Sequence, residues 1–522
     1  DDTTLCAVLI GYVGSRYHGL QKHDKGPPTV EQELESALIK AGALVYEAGV
    51  VKEDARTGLK NGDLVKARWS HASRTDKGVH AIGQVVALGM RLKWAGATWE
   101  SQEPAIVEKV NQELTRQSRV RFDDAKALAD IVVYGLKKVP KGFYDERRLD
   151  KGVTRFDARR DATGRLYEYQ CPTGALVSRK TSSANPSLST VRITEEETKA
   201  VQDLLFLYQG THDFHNFTAD KCSDEGPTET QRVVTRFTTG QKRLSTDGVE
   251  YLALLVEGDS FIYHQIRKMV GLAIFALRHK QPADRVSFVK EVLTDKKARY
   301  VPLAPSLGLM LERVMFRKEN RTHGGFTTLL DFEAVAPRMS EFKKARIYPE
   351  IDGKERSEQK NAALDKQQVH SCMHHWLAFI ARTQQIWGVR FTGSWLPGVN
   401  DLDWLFSSAP TRPTSARPSG NGESSEEFER LRGVLVECLR CCGGSIKFLP
   451  DLPEVLQERL RSRRPLNTKN KDKLRRVVKD RSNERRVGFR LEGETLVLKE
   501  EHINGDGDIA QPPAGEKGEK GG

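Results

Sequence analysis

Apolar and polar positions alternate along the first three fifths of the chain in patterns that predict both strands and helices. Short apolar or alternating runs predict strands at 5–12, 85–92, 165–171, 233–238 and 251–256. Apolar residues at helical spacing predict a helix from Pro28 to near Gly42, and further helices at 105–117, 195–208 and 263–279. Hairpin-like strands with separate helices favour an α+β fold with an antiparallel sheet.

The length of the chain predicts two or three compact units plus tails, and the composition changes beyond about residue 318. We expect a first unit at 1–150, a second unit at 151–318 and a mainly helical segment at 319–406. Residues 407–427 are rich in Ser, Pro and Gly and predict a flexible linker. A basic extension at 428–500 and a disordered tail at 501–522 follow. The most basic run, 459–486, is either a phosphate-binding element or a solvated tail.

Charge and cysteine content narrow the class of protein. Lysine and arginine total 83 against 71 acidic residues, and the net charge of +12 favours a polyanionic partner such as nucleic acid. The same excess suits a ribosome-associated or membrane-surface protein. Seven scattered cysteines indicate a reducing compartment, and no apolar run approaches the roughly 20 residues that span a bilayer. No phosphate-binding loop or dinucleotide fingerprint indicates ATP or NAD.

The segment RTDKGVH places a carboxylate, Asp76, between two cations, Arg74 and Lys77, in a turn that Gly78 permits. Neighbouring cations keep a carboxylate ionised, and a turn can present it to a substrate. Taken alone, the segment is more typical of an Asx turn or a surface ion pair than of a catalytic site.

A second group of residues suggests a metal site only weakly. Zinc sites usually show two ligand pairs at short spacing, whereas these residues are split between an apolar helix and a distant segment. The alternative is a helix that packs against the core, and we predict no metal. The residues concerned are His370, Cys372, His374, His375, Cys438, Cys441 and Cys442.

Several segments together resemble one known family. RTDKGVHA is followed by ARRDATGRLYEY (158–169), GTHDFHNFT (210–218) and SFIYHQIRKMVG (260–271), and it is preceded by YVGSRYHGLQ and TVEQELESAL. With VPLAPSLGLMLERV (301–314), they resemble the TruA family of tRNA pseudouridine synthases. LLDFEAVAPRMSEFKKARIYPEI (329–351) is similar to the eukaryotic tRNA pseudouridine synthase 1 branch. The resemblance covers roughly two thirds of the chain.

This resemblance implies a two-lobed fold, with a mostly antiparallel central sheet flanked by helices and an RNA-binding cleft. It implies a cofactor-independent isomerisation of uridine to pseudouridine in structured RNA. We expect tRNA as the partner, with mRNA, small nuclear RNA and ribosomal RNA as further substrates. It also implies a monomer without a membrane partner, in the nucleus or the mitochondrion. The alternative is an RNA-binding or ribonucleoprotein-assembly factor that keeps the fold.

The resemblance also assigns residues. Asp76 matches the family's catalytic aspartate, acting as nucleophile or as base, and Tyr167 matches its active-site tyrosine. Arg267 matches the basic residue that pairs with the aspartate, and Arg74 the arginine that holds the nucleotide out of the RNA stack. From the residues alone, core packing is the favoured interpretation of Tyr167, and the alternative for Arg74 is an ion pair.

Further candidates for contact with RNA lie in the same matched segments. The sequence leaves open whether GTHDFHNFT shapes a base pocket or locks two loops together. The chain departs from the pattern of many bacterial members at Ser73 and Lys77, where those members have Gly and Ala. It departs from many eukaryotic relatives at His80, where they have Ser. The RNA-binding candidates besides Arg74 are Lys77, His80, His212, Phe214, Asn216, His264 and Lys268.

Overall fold

The computed structural model describes most of the first 382 residues and three short strands beyond them. The described ranges are 3–23, 27–47, 49–55, 57–91, 99–124, 126–140, 143, 155–177, 191–218, 230–296, 299–320, 325–328, 330, 332–360, 372–382, 445–447, 489–492 and 495–498.

Sixteen strands occur in these ranges. They are β1 Thr3–Tyr12, β2 Lys52–Glu53, β3 Lys60–Asn61, β4 Ser70–His71, β5 His80–Arg91, β6 Ile131–Lys138, β7 Gly164–Pro172, β8 Gly210–Asp213, β9 Gln231–Leu244, β10 Glu250–Gly258, β11 Leu309–Met315, β12 Arg317–Asn320, β13 Gly325–Thr328, β14 Ser445–Lys447, β15 Phe489–Glu492 and β16 Thr495–Leu498.

Nine α-helices occur in the same part of the chain, and a π-helical stretch at Lys343–Ile347 joins the seventh to the eighth. They are α1 Val30–Lys40, α2 Trp99–Phe122, α3 Thr173–Leu176, α4 Glu195–Phe206, α5 Gln265–His279, α6 Arg285–Thr294, α7 Phe332–Phe342, α8 Tyr348–Lys360 and α9 Met373–Arg382.

One large sheet organises the molecule. Its strand order is β6-β1-β5-β11-β7-β10-β9-β8. The short strand β4 pairs with Val86 and Ala87 of β5. All of its pairs are antiparallel except β11 with β5, where Met310 lies opposite His80 and Leu311 opposite Ala81. This confirms the predicted α+β fold with a mostly antiparallel sheet flanked by helices. The parallel pair joins the strands that precede residue 150 to those that follow it.

Local sequence signals set the helix ends. Thr29 caps α1, because its hydroxyl accepts from the Gln32 N–H while the Gln32 side chain accepts from the Thr29 N–H. Helix α5 begins at Gln265, later than the predicted 263, because His264 has a left-handed backbone (φ 68°) that cannot continue a right-handed helix. β5 begins at His80, earlier than predicted, since its first residues pair with strands on both sides.

The continuous helix α7–α8 lies against one face of the sheet and joins both of its halves. Arg338 donates to the Tyr134 carbonyl of β6 (2.6 Å), and Lys343 forms an ion pair with Glu168 of β7 (2.6 Å). Helix α9 packs on α8, and its Trp376 is fully buried. Aromatic residues of this segment therefore belong to the core.

The predicted division at residue 150 stays a prediction, since one sheet runs through both parts of the chain. Residues 407–427, 501–522 and the basic run 459–486 lie outside the described residues. Of the predicted extension at 428–500, the structure describes only the small sheet β14-β16-β15. Among the described helices, none is both long enough and apolar enough to cross a membrane.

Candidate functional site

A pocket of about 870 Å³ lies where the parallel pair joins the two halves of the sheet. The loop before β5, the middle of β7 and the start of α5 meet there. The pocket's lining includes Arg74, Asp76 and Lys77 from the loop, Tyr167 from β7 and Arg267 from α5. His264 lines the pocket as well, so six of the predicted site residues, from three segments far apart in sequence, are brought together.

Hydrogen bonds and one glycine fix the loop that carries Asp76. Gly78 has φ +85°, a conformation that favours glycine, and the Val79 N–H donates to the Asp76 carbonyl (3.1 Å). Behind the loop, the Thr75 and Tyr12 hydroxyls share a hydrogen bond (2.8 Å). The Gln84 side chain binds the Ser73 backbone at both its N–H (3.3 Å) and its carbonyl (2.6 Å). The carboxylate is therefore held by a rigid turn.

Two basic side chains from the start of α5 converge on the Asp76 carboxylate. Its Oδ2 lies 3.4 Å from Arg267 Nη1 and 3.5 Å from His264 Nε2, and the Asp76 side chain is 18% exposed. The Arg267 Nε donates to the Ala304 carbonyl at 2.8 Å, which fixes the guanidinium. The predicted pairing of Arg267 with Asp76 is present, and His264 joins it.

Tyr167 projects from β7 into the same pocket and is only 5% exposed. Its hydroxyl lies 2.6 Å from Ser73 Oγ, and its ring packs edge-on against Phe261 with centroids 5.6 Å apart. Burial raises the pKa of Tyr167 to about 12. The phenol is therefore neutral near pH 7 and can donate a hydrogen bond into the pocket.

Positive charge dominates the lining. Besides Arg74 and Lys77, which are exposed, Arg159 and Arg232 also line the pocket. Asp76 is the one carboxylate among the lining residues that the structure describes. A concave surface with this imbalance favours a polyanionic ligand.

The structure contradicts a direct RNA contact by His80. The ring is fully buried under the Asp76 loop, where Nδ1 accepts from the Gly14 N–H (3.2 Å) and Nε2 faces the Leu307 carbonyl (3.0 Å). Burial lowers the pKa of His80 to about 4. His80 instead ties the loop to two neighbouring segments.

The segment GTHDFHNFT locks loops together, the second of its two predicted roles. Phe214 is fully buried and packs on the His212 ring, while the His212 Nε2 faces the Gln209 carbonyl at 2.9 Å. Asn216 donates to the Val292 carbonyl (3.0 Å) and accepts from the Arg299 N–H (2.8 Å). None of the three lines the pocket. The burial of Phe214 and Asn216 contradicts a direct contact of their side chains with RNA, whereas the assignment of the half-buried His212 stays a prediction.

Lys268 is likewise directed away from the pocket. Its ammonium group is buried and donates to the Thr218 carbonyl (2.6 Å) and the Asn216 carbonyl (3.4 Å). Lys268 directly follows Arg267 on α5, and consecutive side chains of a helix point in different directions. Lys268 therefore supports the loop at 216–218 and does not face the cleft.

Several pocket residues were not among the sequence candidates. Arg159 and Arg232 supply positive charge, and Tyr263 and Phe261 supply aromatic surface. Arg165 fixes the wall, because its guanidinium donates to the carbonyls of Ala72 (2.8 Å) and Arg159 (2.7 Å). Arg159, Phe261 and Tyr263 lie in the matched segments ARRDATGRLYEY and SFIYHQIRKMVG, which was the available signal for them. Arg232 lies outside the matched segments. Sequence alone could not tell which side chains face the cleft.

Among the described residues, no group of three or more His, Cys, Asp and Glu side chains could hold a metal ion. Cys372 is buried beside α9, and the His374 and His375 rings lie 5.8 Å apart on it. His370, Cys438, Cys441 and Cys442 lie outside the described residues.

Comparison with known proteins matches this chain to pseudouridine synthases. The family model described as tRNA pseudouridine synthase matches residues 204–317, which contain β9 to β11 and Arg267. The chain is 32% identical over 359 residues to the pseudouridylate synthase 1 homolog of Homo sapiens, covering 68% of this chain and 70% of that protein. It is 25% identical over 443 residues to tRNA pseudouridine synthase 1 of Candida albicans, covering 67% and 63%. To tRNA pseudouridine synthase 1 of Saccharomyces cerevisiae it is 27% identical over 393 residues, covering 60% and 62%.

Proposed function

This chain belongs to the TruA-type family of tRNA pseudouridine synthases, and from that premise we propose that it isomerises uridine to pseudouridine in tRNA, with Asp76 as the catalytic carboxylate and no cofactor. The observation that carries the proposal is the Asp76 carboxylate, held by Arg267 inside a pocket lined by cations. The site contains each residue type that the reaction uses.

The reaction conserves every atom of the substrate. The bond from ribose C1′ to uracil N1 breaks, the uracil turns, and a bond from C1′ to C5 forms. C5 loses a proton and N1 gains one, so nothing is oxidised and no group is imported. A carboxylate and groups that transfer protons are therefore sufficient for this reaction, which supports a mechanism without a cofactor.

Asp76 can act on the sugar in either of two ways. Its carboxylate can attack C1′ as a nucleophile, or it can remove a sugar proton as a base. Both routes need an ionised carboxylate in a fixed position, and the guanidinium of Arg267 supplies a fixed positive charge 3.4 Å away. Arg267 therefore serves both routes.

Tyr167 is suited to retain the uracil while it turns. The ring forms a buried wall of the pocket, and the hydroxyl is oriented by Ser73 at 2.6 Å. Because the phenol stays protonated near pH 7, it acts as a neutral hydrogen-bonding group that can stack on or bind the detached base.

A uridine stacked within an RNA helix cannot reach Asp76, so the nucleotide must first leave the stack. That costs a few kcal/mol, which phosphate contacts and new stacking offset. Arg74, exposed at the pocket rim two residues from Asp76, is placed to occupy the vacated space. Lys77, Arg159 and Arg232 supply charge for the surrounding phosphates.

The test is pseudouridine formation on unmodified tRNA transcripts, mapped by chemical labelling, without added cofactor or metal. Asp76→Asn should abolish turnover and leave RNA binding nearly intact, because the substitution removes the charge and barely changes the shape. Asp352→Asn is the matched control. Asp352 also pairs with an arginine, Arg243 (2.8 Å), but it lies on α8, away from the pocket.

The folded control should retain turnover. RNA binding without product from either the wild type or the control would favour the scaffold alternative, an RNA-binding factor with the same fold. Loss of binding in Asp76→Asn would make Asp76 a structural residue and would contradict the proposed role.

A further inference from the structure

The chain segment that follows β1 supports the loop of Asp76 from behind. It begins with a single turn of 3₁₀ helix, Gly14–Arg16, which we call the β1 turn. The Gly14 N–H donates to His80 Nδ1 at 3.2 Å, and a Cβ atom at Gly14 would lie only 1.8 Å from the Val79 carbonyl oxygen. Since the Val79 N–H donates to the Asp76 carbonyl, the β1 turn packs directly against the loop that carries the carboxylate.

The same segment contacts the loop at a second point, on the other side of Asp76. The Leu20 N–H donates to the Thr75 carbonyl at 3.3 Å. Gly19 packs against that carbonyl, since a Cβ atom at Gly19 would lie 2.9 Å from the Thr75 oxygen. The position of the Asp76 loop therefore depends on the position of residues 14–20.

The first turn of helix α8 holds the β1 turn. Glu350 Oε1 accepts from the Ser15 hydroxyl at 2.6 Å, and Glu350 Oε2 accepts from Arg16 Nη2 at 3.3 Å. Lys354, one helical turn later, donates to the Ser15 carbonyl at 3.4 Å and lies 3.5 Å from Glu350 Oε1. The Glu350 carboxylate is therefore the centre of the contact between α8 and the β1 turn.

Glu350 is ionised in this contact although its side chain is only 13% exposed. Burial acts to raise the pKa of Glu350. The hydrogen bond from Ser15 and the charges of Lys354 and Arg16 outweigh burial, so the pKa lies below its ordinary value. A hydrogen bond to an ionised carboxylate is stronger than one between neutral groups. The contact between Ser15 and Glu350 is therefore complete at neutral pH.

We propose that Glu350 is a positioning residue for Asp76, which acts by binding Ser15 and so holding the β1 turn against the Asp76 loop. The proposal rests on the proposed function and adds a distant helix to the groups that set the geometry of the catalytic carboxylate. Neither Glu350 nor Ser15 lines the pocket, so the effect on Asp76 is indirect. Because Gly14 and Val79 are in close contact, a displaced β1 turn displaces the loop as well.

Asp352, two positions further along α8, offers a matched comparison. Its side chain is 11% exposed, and its carboxylate binds Arg243 of β9 at 2.8 Å. In the sheet, β9 is separated from β1 by β5, β11, β7 and β10. Loss of the Asp352 carboxylate should therefore weaken the attachment of α8 without releasing the β1 turn.

The test measures kcat and KM of the full chain on an unmodified tRNA transcript, with kcat referred to the folded protein determined by circular dichroism. Glu350→Ala and Ser15→Ala remove the same hydrogen bond from its two sides. Each should lower kcat about 10- to 100-fold, since a displacement of about 1 Å by a distant substitution can cost about 100-fold. The double variant should lose no more than the larger single loss, because both changes remove one contact. Asp352→Ala should keep the kcat of the wild type.

Two further readouts separate positioning from a general loss of stability. Glu350→Gln keeps an oxygen that can accept from the Ser15 hydroxyl, so it should restore most of the kcat that Glu350→Ala loses. Hydrogen–deuterium exchange at residues 74–80 reports local opening of the Asp76 loop. Exchange there should be faster in Glu350→Ala and Ser15→Ala than in the wild type, and it should be unchanged in Asp352→Ala.

Unchanged kcat and exchange in Glu350→Ala and Ser15→Ala would overturn the positioning role. Equal changes in Asp352→Ala would overturn it too, because Glu350 would then contribute only to the stability of α8. Failure of the proposed function is distinguishable, since the wild type would then form no pseudouridine. Exchange at residues 74–80 would still show whether Glu350 holds the loop.

Discussion

Ion pairs lie on one face of the central sheet, whereas cations outnumber carboxylates at the pocket on the other face. Consecutive residues of β7 show the contrast. Side chains alternate between the faces of a strand. Tyr167 points into the pocket and meets Ser73, whereas Glu168 points to the other face and meets Lys343 of the π-helical stretch. We call these the pocket face and the helix face.

On the helix face, buried charges are matched. Lys343 contacts both Glu168 (2.6 Å) and Glu312. Nearby, Arg243 makes two hydrogen bonds to Asp352 (2.8 and 3.0 Å) while its guanidinium lies between the Tyr251 and Tyr348 rings. Such pairs fix α7–α8 on the sheet.

On the pocket face, several cations surround the Asp76 carboxylate and no second carboxylate is present among the described lining residues. An excess of like charge does not help the protein to fold, because like charges repel and burial costs solvation energy. The difference teaches that the ion pairs of the helix face serve stability, whereas the excess of cations over carboxylates in the described pocket lining favours the charge of a ligand. Substitutions on the two faces should therefore affect different measurements.

The largest effect is expected from Lys343→Met on the helix face. Without the ammonium group, Glu168 and Glu312 remain as two buried carboxyls without their shared cation. Breaking a buried pair in this way costs about 3–5 kcal/mol of the free energy of unfolding. Urea unfolding followed by circular dichroism measures it, and turnover per folded molecule should stay near that of the wild type.

The pH dependence sharpens this prediction. Burial, reinforced by the charge of Glu168, raises the pKa of Glu312 to about 8 even with Lys343 present. Removing the cation raises the pKa of Glu312 further above its unfolded value, and it removes a charge that lowers the pKa of Glu168. The folded variant then binds more protons than the unfolded chain, so its loss of stability should be smaller at pH 5 than at pH 8. The double variant Lys343→Met with Glu312→Gln should regain part of the loss.

A somewhat smaller effect, in activity instead of stability, is expected from Arg267→Lys on the pocket face. One ammonium group cannot keep both the bond to the Ala304 carbonyl and the contact with Asp76. Losing a preorganised charged group typically lowers kcat about 100- to 1,000-fold. Arg243→Lys is the control on the helix face and should leave kcat nearly unchanged. Equal losses of kcat in both variants would break the comparison between the faces.

The smallest effect concerns His80, which anchors the Asp76 loop from beneath. Its folded-state pKa of about 4 lies below the ordinary value of 6.5, so the folded protein binds fewer protons than the unfolded chain between these values. Stability from this group is complete above pH 6.5 and is lost as the pH falls toward 4. By linkage, the loss at pH 5 is about 2 kcal/mol.

Unfolding free energies of the wild type and His80→Gln, measured from pH 7.5 to 4.5, test this prediction. The variant should be less stable at neutral pH and should lose less on acidification. Parallel curves for the two proteins would show that His80 does not titrate in the folded state as its burial implies.

The sequence by itself determined the elements and nominated the site. Apolar periodicity and the Thr29 cap act within a few residues, so β1, α1, β7 and α4 are found close to their predicted positions. The match of several segments to one family pointed to Asp76, Tyr167 and Arg267. These three do converge in one pocket.

Only the tertiary structure decided which polar residues face that pocket. Asp76 and Arg267 are 191 positions apart and meet because β11 inserts between β5 and β7. His80, Asn216 and Lys268 have the same polar character as the pocket residues, yet buried carbonyl and N–H groups bind them on other sides. The local pattern of apolar and polar residues indicates only the secondary structure of a few residues. Whether a polar side chain is buried depends on which distant backbone groups can form hydrogen bonds with it.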